Sequence, residues 1–133
     1  MRPWQHVLEP LCGYLLLAER LADDPAGFGE AWNFGPAEQD AREVGWIAQR
    51  IIEQWGDGAR WIGDCAEAPH ESIWLKVDAS RARLRLGWAP RLRLADALDW
   101  TVDWHRRLVA GRSARVLMDE QLERYHGLEP ATA

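Results

Sequence analysis

Apolar residues recur every three or four positions in three stretches of this 133-residue chain, a spacing that is typical of amphipathic helices. The stretches run from Leu8 to Ala22, from Val44 to Trp55 and from Leu94 to Leu108. Helix-breaking residues follow the first stretch at Asp23 to Gly27 and the second at Gly56 to Gly58. The sequence therefore predicts three main helices with turns between them.

Shorter elements are predicted between and after these helices. Asp78 or Ser80 can cap a short helix that stops at Gly87, and a last helix contains Leu122 and Tyr125. Short runs rich in aromatic and β-branched residues predict three strands, at 30–36, 60–62 and 73–77. This mixture predicts an α/β fold of helices with a few short strands and no complete βαβ (Rossmann) unit.

A second local signal concerns the start of the middle helix, where Asp40 is followed three residues later by Glu43. That spacing resembles a capping box, in which the first side chain accepts a hydrogen bond from the helix N-terminus. We therefore predict that Asp40 caps this helix.

Charge and cysteine content narrow the class of protein. A net charge of −5 argues against a broad surface for nucleic acid or an anionic membrane. The longest apolar run, Leu11 to Ala18, is too short to span a bilayer. Cys12 and Cys65 lie far apart, and neither belongs to a C-x-x-C motif. We predict that they are reduced thiols of a cytoplasmic protein.

Motifs for catalysis and for cofactor binding are missing from the sequence. Two Gly-x-Gly pairs, at 27–29 and 56–58, begin like the dinucleotide motif G-x-G-x-x-G, but each has tryptophan at the sixth place. The one lysine, Lys76, is not four residues from a tyrosine, so no Tyr-x-x-x-Lys acid–base pair exists. The four histidines lack metal-ligand spacing. We therefore predict no catalytic residue, cofactor site or metal site in this chain.

Three groups of residues could bind an anion. Arg2 and His6 precede the first helix, a position that suits a diphosphate, although residues 1–7 could also be a disordered end. The polar segment 69–72, Pro-His-Glu-Ser, could contact a ribose or a phosphate, or could be an ordinary turn. Arg81 and Arg85 share a helix face and could bind an anion or form a solvated surface.

Several of these segments resemble the C-terminal part of the extended short-chain dehydrogenases/reductases, the NAD-dependent epimerase/dehydratase family. They are Arg-Pro-Trp-Gln-His-Val at 2–7, Ala-Trp-Asn-Phe-Gly-Pro at 31–36, Asp-Ala-Ser-Arg-Ala at 78–82, Leu-Gly-Trp-Ala-Pro at 86–90 and Thr-Val-Asp-Trp at 101–104. The opening segment and Pro-His-Glu at 69–71 are most similar to the CDP-glucose 4,6-dehydratases of that family. The resemblance covers residues 2 to about 126.

The resemblance implies a function for the whole enzyme and a site in this chain. The enzyme would use NAD to oxidise the sugar at C4, eliminate water across C5 and C6 and return the hydride to C6. The substrate-binding residues implied here are Arg2, on the diphosphate, and His70 and Glu71, facing the nucleotide. Relatives often have arginine or histidine where this chain has Ala68, and lysine where it has Arg81. The family's glycine motif and Tyr-Lys pair belong to the N-terminal part, so we expect this chain alone to bind no NAD and to be inactive.

The implied organisation is a nucleotide-sugar-binding part at 1–127 followed by a frayed tail at 128–133. The predicted partners are a nucleotide sugar, such as CDP-glucose, and a protein surface. That surface would be a second copy or an N-terminal half, because the first two helices and the 30–36 strand edge would otherwise be uncovered. The alternative is a free-standing binding or oligomerisation module without catalysis.

Overall fold

A computed structural model describes residues 1–62 and 75–130 of the chain, and these residues are mostly helical. The elements are α1 (Leu8–Asp23), α2 (Pro25–Phe28), a 3-10 turn (Glu38–Asp40), α3 (Val44–Trp55), a π-helical turn (Ala82–Leu86), α4 (Leu94–Val109) and α5 (Ala114–His126). The three main predicted helices, the short helix before Gly87 and the last helix are all confirmed. Gly56 and Gly87, with φ of 67° and 68°, end α3 and the π-helical turn as glycine can.

Strands are where the sequence prediction was wrong. Across the described residues, the one β-type pairing is an isolated antiparallel bridge between Arg2 and Arg42. Residues 30–36 and 60–62 form no strand, and neither does 75–77, the described part of the segment predicted at 73–77. Aromatic and β-branched residues favour a pleated, half-buried surface, but a strand also needs a neighbour to pair with. Phe34, in the first of these segments, is buried among helices instead, an arrangement compatible with part of an α/β protein.

The predicted capping box is also wrong. The residue before α3 is Glu43, and its side chain makes no capping hydrogen bond. Asp40 lies in the 3-10 turn, where its carboxylate accepts hydrogen bonds from Arg93 Nε at 2.9 Å and Nη2 at 3.1 Å. A guanidinium can donate to both carboxylate oxygens at once, whereas a cap uses one oxygen on a backbone N–H. The carboxylate of Asp40 therefore joins this turn to the start of α4.

The first part of the core lies between α1 and the π-helical turn. Its buried members are Phe34, Ala79, Ala82, Leu86 and Trp88. Leu16 and Leu17 of α1 pack against this cluster. A Cβ atom at Gly13 would lie 2.3 Å from the Phe34 ring, so glycine at that position allows the ring to lie directly on α1.

A buried carboxylate joins three parts of the fold. Glu9, in the first turn of α1, is fully buried. It accepts hydrogen bonds from the backbone N–H of Arg91 at 3.0 Å, the N–H of Leu92 at 2.8 Å and the hydroxyl of Tyr125 at 2.9 Å. Burial and the neighbouring Glu9 charge raise the pKa of Tyr125. The start of α1 is therefore fixed to the segment before α4 and to the end of α5.

A second part of the core positions the N-terminal segment. Ile47 of α3 packs with Leu94 and Leu98 of α4, and Trp4 and Ile51 pack against this cluster. Trp4 thereby fixes residues 1–6 against the pair formed by α3 and α4. Within the described part of the chain, no helix combines the length and apolar character that crossing a bilayer requires.

Candidate functional site

The N-terminal segment that contains Arg2 is held by hydrogen bonds rather than left as a loose end. The N–H of Arg2 donates to the carbonyl of Arg42 at 3.0 Å, and the Trp4 indole donates to the same carbonyl at 3.1 Å. The N–H of Leu75 donates to the carbonyl of Met1 at 3.2 Å. The side-chain amide of Gln5 donates to the Phe34 carbonyl at 3.0 Å. The backbone of Arg2 therefore has a defined place, in contrast to the disordered alternative.

His6 does not form the anion site that its position suggested. Its side chain is buried, and its Nδ1 accepts a hydrogen bond from the N–H of Leu8 at 3.3 Å. The ring meets Trp100 edge-on, with 5.8 Å between centroids, and burial lowers the pKa of His6. The His6 imidazole is therefore neutral and accepts from the Leu8 N–H at the start of α1. An anion bound at this helix end would need that same N–H.

A cleft of about 430 Å³ lies beside the N-terminal segment. Its lining residues are Pro3, Pro36, Ala37, Glu38, Ala41, Leu75, Lys76, Val77, Asp78, Ala79, Ser80 and Arg83. They come from the N-terminal segment, the turn before α3 and the segment before the π-helical turn. The volume falls within the range of small-molecule sites, about 300–1,000 Å³.

The charged groups of this cleft have both signs. Lys76 Nζ lies 3.7 Å from the carboxylate of Glu38, and the guanidinium of Arg83 donates to the Pro36 carbonyl at 3.2 Å. Asp78 accepts a hydrogen bond from the N–H of Ser80 at 2.8 Å, and its hydrogen bonds to Ser80 lower the pKa of Asp78. The cleft therefore offers cations for phosphate oxygens and carboxylates that can accept from sugar hydroxyls.

Comparison with known proteins identifies the relatives of the chain. Over 125 residues, 94% of its length, it is 42% identical to the CDP-glucose 4,6-dehydratase of Salmonella typhimurium. The chain is related to the nucleotide-sugar 4,6-dehydratases. The resemblance predicted from the sequence segments is thereby confirmed. The matched region is 35% of the Salmonella enzyme, so the chain spans about a third of that relative.

A second dehydratase supports this relationship. The dTDP-glucose 4,6-dehydratase of Streptomyces niveus is 30% identical over 60 residues, which are 45% of this chain and 18% of that protein. No protein-family model matches the chain.

Of the three residues implied by the dehydratase resemblance, Arg2 is next to a lining residue of the cleft and the other two lie outside the described residues. Arg2 precedes the lining residue Pro3, and its backbone pairs with Arg42, which follows the lining residue Ala41. His70 and Glu71 lie outside the described residues, and their role stays a prediction.

Sequence reasoning missed the charged residues that line the cleft, Glu38, Lys76, Asp78 and Arg83. Two signals were available in the sequence. Lys76 is the only lysine of the chain, and Arg83 alternates with Arg81 and Arg85, so it falls on another side of the turn. Neither signal identifies a common cleft, because the lining segments are brought together only by the fold.

Arg81 and Arg85 share one face as predicted, but that face is occupied by another residue of the chain. Both guanidiniums pair with the carboxylate of Glu30, that of Arg81 at 2.8 Å. The Arg85 guanidinium also lies over the rings of Phe28 and Trp32, at 5.5 and 5.4 Å from their centroids. An anion at this face would compete with Glu30, so these arginines stabilise the segment after α2.

The described residues were also compared with the requirements of a metal site. Among residues 1–62 and 75–130 there is no group of three or more histidine, cysteine, aspartate or glutamate side chains that could hold a metal ion.

Proposed function

We propose that this chain forms the nucleotide-sugar-binding part of a 4,6-dehydratase, with CDP-glucose or a similar nucleotide sugar as its ligand. The observation that carries this proposal is the 42% identity to the Salmonella CDP-glucose 4,6-dehydratase over 94% of the chain. Because the chain spans about a third of that enzyme, the activity of the whole enzyme enters here only through the proposal.

The ligand would occupy the cleft beside Arg2. A diphosphate has at least two negative charges, and Lys76 and Arg83 line the cleft, while Arg2 directly precedes the lining residue Pro3. Guanidinium groups bind phosphate oxygens through paired, charge-assisted hydrogen bonds. Glu38 and Asp78 would accept hydrogen bonds from sugar hydroxyls, and His70 and Glu71 would face the nucleotide, as the resemblance implies.

We propose that NAD binds outside this chain, because neither Gly-x-Gly pair of the sequence has the structural context of a dinucleotide site. The Gly27–Gly29 pair lies at the end of α2, and the Gly56–Gly58 pair follows α3, so neither joins a strand to the start of a helix. A dinucleotide needs that junction for the close approach of the backbone to its pyrophosphate. We therefore assign the cofactor and the catalytic residues to the rest of the enzyme, and expect the isolated chain to release no 4-keto-6-deoxy product from CDP-glucose.

A titration of the isotope-labelled chain with CDP-glucose, followed by two-dimensional NMR, tests where the ligand binds. We expect concentration-dependent shifts of the amide signals of Lys76 and Arg83 and of residues near Arg2. The signals of Arg115, on the exposed side of α5 with 82% of its side chain exposed, should not move. Shifts confined to residues away from the cleft, or no shifts at millimolar CDP-glucose, would contradict the proposal.

A second candidate function, that of a binding or oligomerisation module without catalysis, is favoured by one observation. The outer side of α1 is apolar and exposed, with Leu15 70% and Val7 62% exposed. A surface of this kind is typical of a protein–protein contact and does not depend on the nucleotide-sugar site.

A further inference from the structure

Each cation that lines the cleft has a carboxylate as its neighbour. Lys76 Nζ lies 3.7 Å from the carboxylate of Glu38. The pKa of Asp78 is lowered by its hydrogen bonds to Ser80 and also by the positive charge of Arg83, so these two charges lie close to each other. Among the described lining residues, two positive charges are therefore accompanied by two negative charges.

The two carboxylates can act on a ligand while they keep these neighbours. The N–H of Ser80 donates to the Asp78 carboxylate at 2.8 Å, which holds this side chain in place beside the cleft. Hydrogen bonds of this kind favour the charged form, so Asp78 is ionised at neutral pH. The side chain of Glu38 is 82% exposed, so a ligand can reach its oxygens. A carboxylate has about four acceptor positions, and each of the two can accept further hydrogen bonds.

This arrangement treats the two ends of a nucleotide diphosphate differently. A phosphate that pairs with Lys76 or Arg83 also lies near Glu38 or Asp78, because the opposite charges are neighbours. In a nucleotide sugar the group beyond the outer phosphate is neutral, and its hydroxyls can donate to carboxylates. In the nucleotide without its sugar the outer phosphate is a monoester-like end group, with a charge of about −1.5 to −2 at pH 7. That additional charge meets a carboxylate.

We infer that Glu38 and Asp78 are specificity residues of the cleft, which favour a nucleotide diphosphate that has a sugar over the same nucleotide with a free terminal phosphate. The inference rests on the proposed function, since it requires the diphosphate to bind in this cleft. The carboxylates act in two ways. They accept hydrogen bonds from the sugar, and they repel the additional charge of a free terminal phosphate, so the competing ligand is disfavoured as well as the correct one favoured.

Calorimetric titrations of the whole chain with CDP-glucose and with CDP test this inference. The deciding quantity is the ratio of the dissociation constant for CDP to that for CDP-glucose. For the parent we expect a ratio of about ten or more, the effect of one additional charge near a carboxylate at a partly exposed site. Glu38→Gln and Asp78→Asn keep the shape of the side chain and one carbonyl acceptor but lose the charge. Each should lower the ratio about threefold to tenfold, mainly because CDP binds more tightly.

Asp119→Asn is the matched control, because it removes the same charge from α5, where Asp119 pairs with Arg115. Its ratio should equal that of the parent. Circular dichroism verifies that each variant keeps its helices, and the second cleft variant remains decisive if the first does not fold.

The outcomes separate this inference from the proposed function. A parent that binds CDP-glucose, with a ratio that neither cleft variant lowers, would overturn the inference alone. A ratio that Asp119→Asn lowers as much as the cleft variants do would also overturn it, because the effect would then come from the overall charge of the chain. A parent that binds neither ligand would overturn the proposed function and this inference with it.

Discussion

The buried Glu9 predicts a specific loss of stability when Tyr125 loses its hydroxyl group. Tyr125→Phe removes the hydrogen bond of 2.9 Å from the phenol to the Glu9 carboxylate. A hydrogen bond to a charged group contributes about 1.5–3 kcal/mol to the free energy of unfolding. Glu9 keeps the backbone N–H donors of Arg91 and Leu92, so we expect a loss of about 1.5–2 kcal/mol, near the lower end of that range.

Urea unfolding followed by tryptophan fluorescence measures this loss. Tyr14→Phe is the matched control, because Tyr14 is 56% exposed and should change the free energy of unfolding by less than about 0.5 kcal/mol. All variants are compared at one protein concentration, because any self-association would make the measured stability depend on concentration. Equal free energies for the parent and Tyr125→Phe would refute the role of this hydrogen bond.

The same pair predicts how stability depends on alkaline pH. Burial and the Glu9 charge raise the pKa of Tyr125, whereas a tyrosine in the unfolded chain ionises near pH 10. Above about pH 10 the unfolded chain therefore releases a proton that the folded chain retains, and stability falls as the pH rises. Tyr125→Phe should lose less stability than the parent between pH 9 and pH 11. An identical pH dependence of the two proteins would contradict this linkage.

Two further predictions concern residues close to α1. Burial lowers the pKa of His6, so below about pH 6.5 the unfolded chain binds a proton that the folded chain does not, and the parent should lose stability as the pH falls. The stability of His6→Gln should depend less on pH over this range. An unchanged pH dependence in this variant would contradict the buried, uncharged state of His6. Gly13→Ala should destabilise the chain by about 1–3 kcal/mol, because the new Cβ would lie 2.3 Å from the Phe34 ring. Gly45→Ala on α3 is its control in thermal unfolding, since a Cβ there meets nothing within 4 Å, and similar melting temperatures for the two variants would contradict the close contact.

The helices could be predicted from the sequence because their signals are local. Apolar spacing over three or four turns determines which side of a helix is covered, and Gly56 and Gly87 mark ends that the backbone adopts with positive φ. The strands could not be predicted in the same way, since pairing depends on a distant segment. In the described residues, Phe34 packs into a helical core instead of joining a sheet.

The partners of the charged residues could not be predicted either, because they lie far away in the sequence. Asp40 resembles a cap for α3, but Arg93 lies 53 residues later and takes its carboxylate. Glu9 looks like an ordinary acidic residue of a first helical turn, yet its hydrogen-bond partner Tyr125 is 116 residues away. The cleft could not be predicted for the same reason, because Lys76 and Glu38 come together only in the folded chain.

The central claim, that this chain binds a nucleotide sugar at the cleft beside Arg2, is tested most directly by calorimetric titration with CDP-glucose. The parent should bind, and Arg2→Ala should weaken binding by roughly ten- to a hundredfold, the effect of one lost arginine–phosphate interaction. Arg115→Ala, which removes an exposed guanidinium from α5, should bind like the parent. No measurable heat from the parent, or equal affinities for the parent and Arg2→Ala, would contradict the claim.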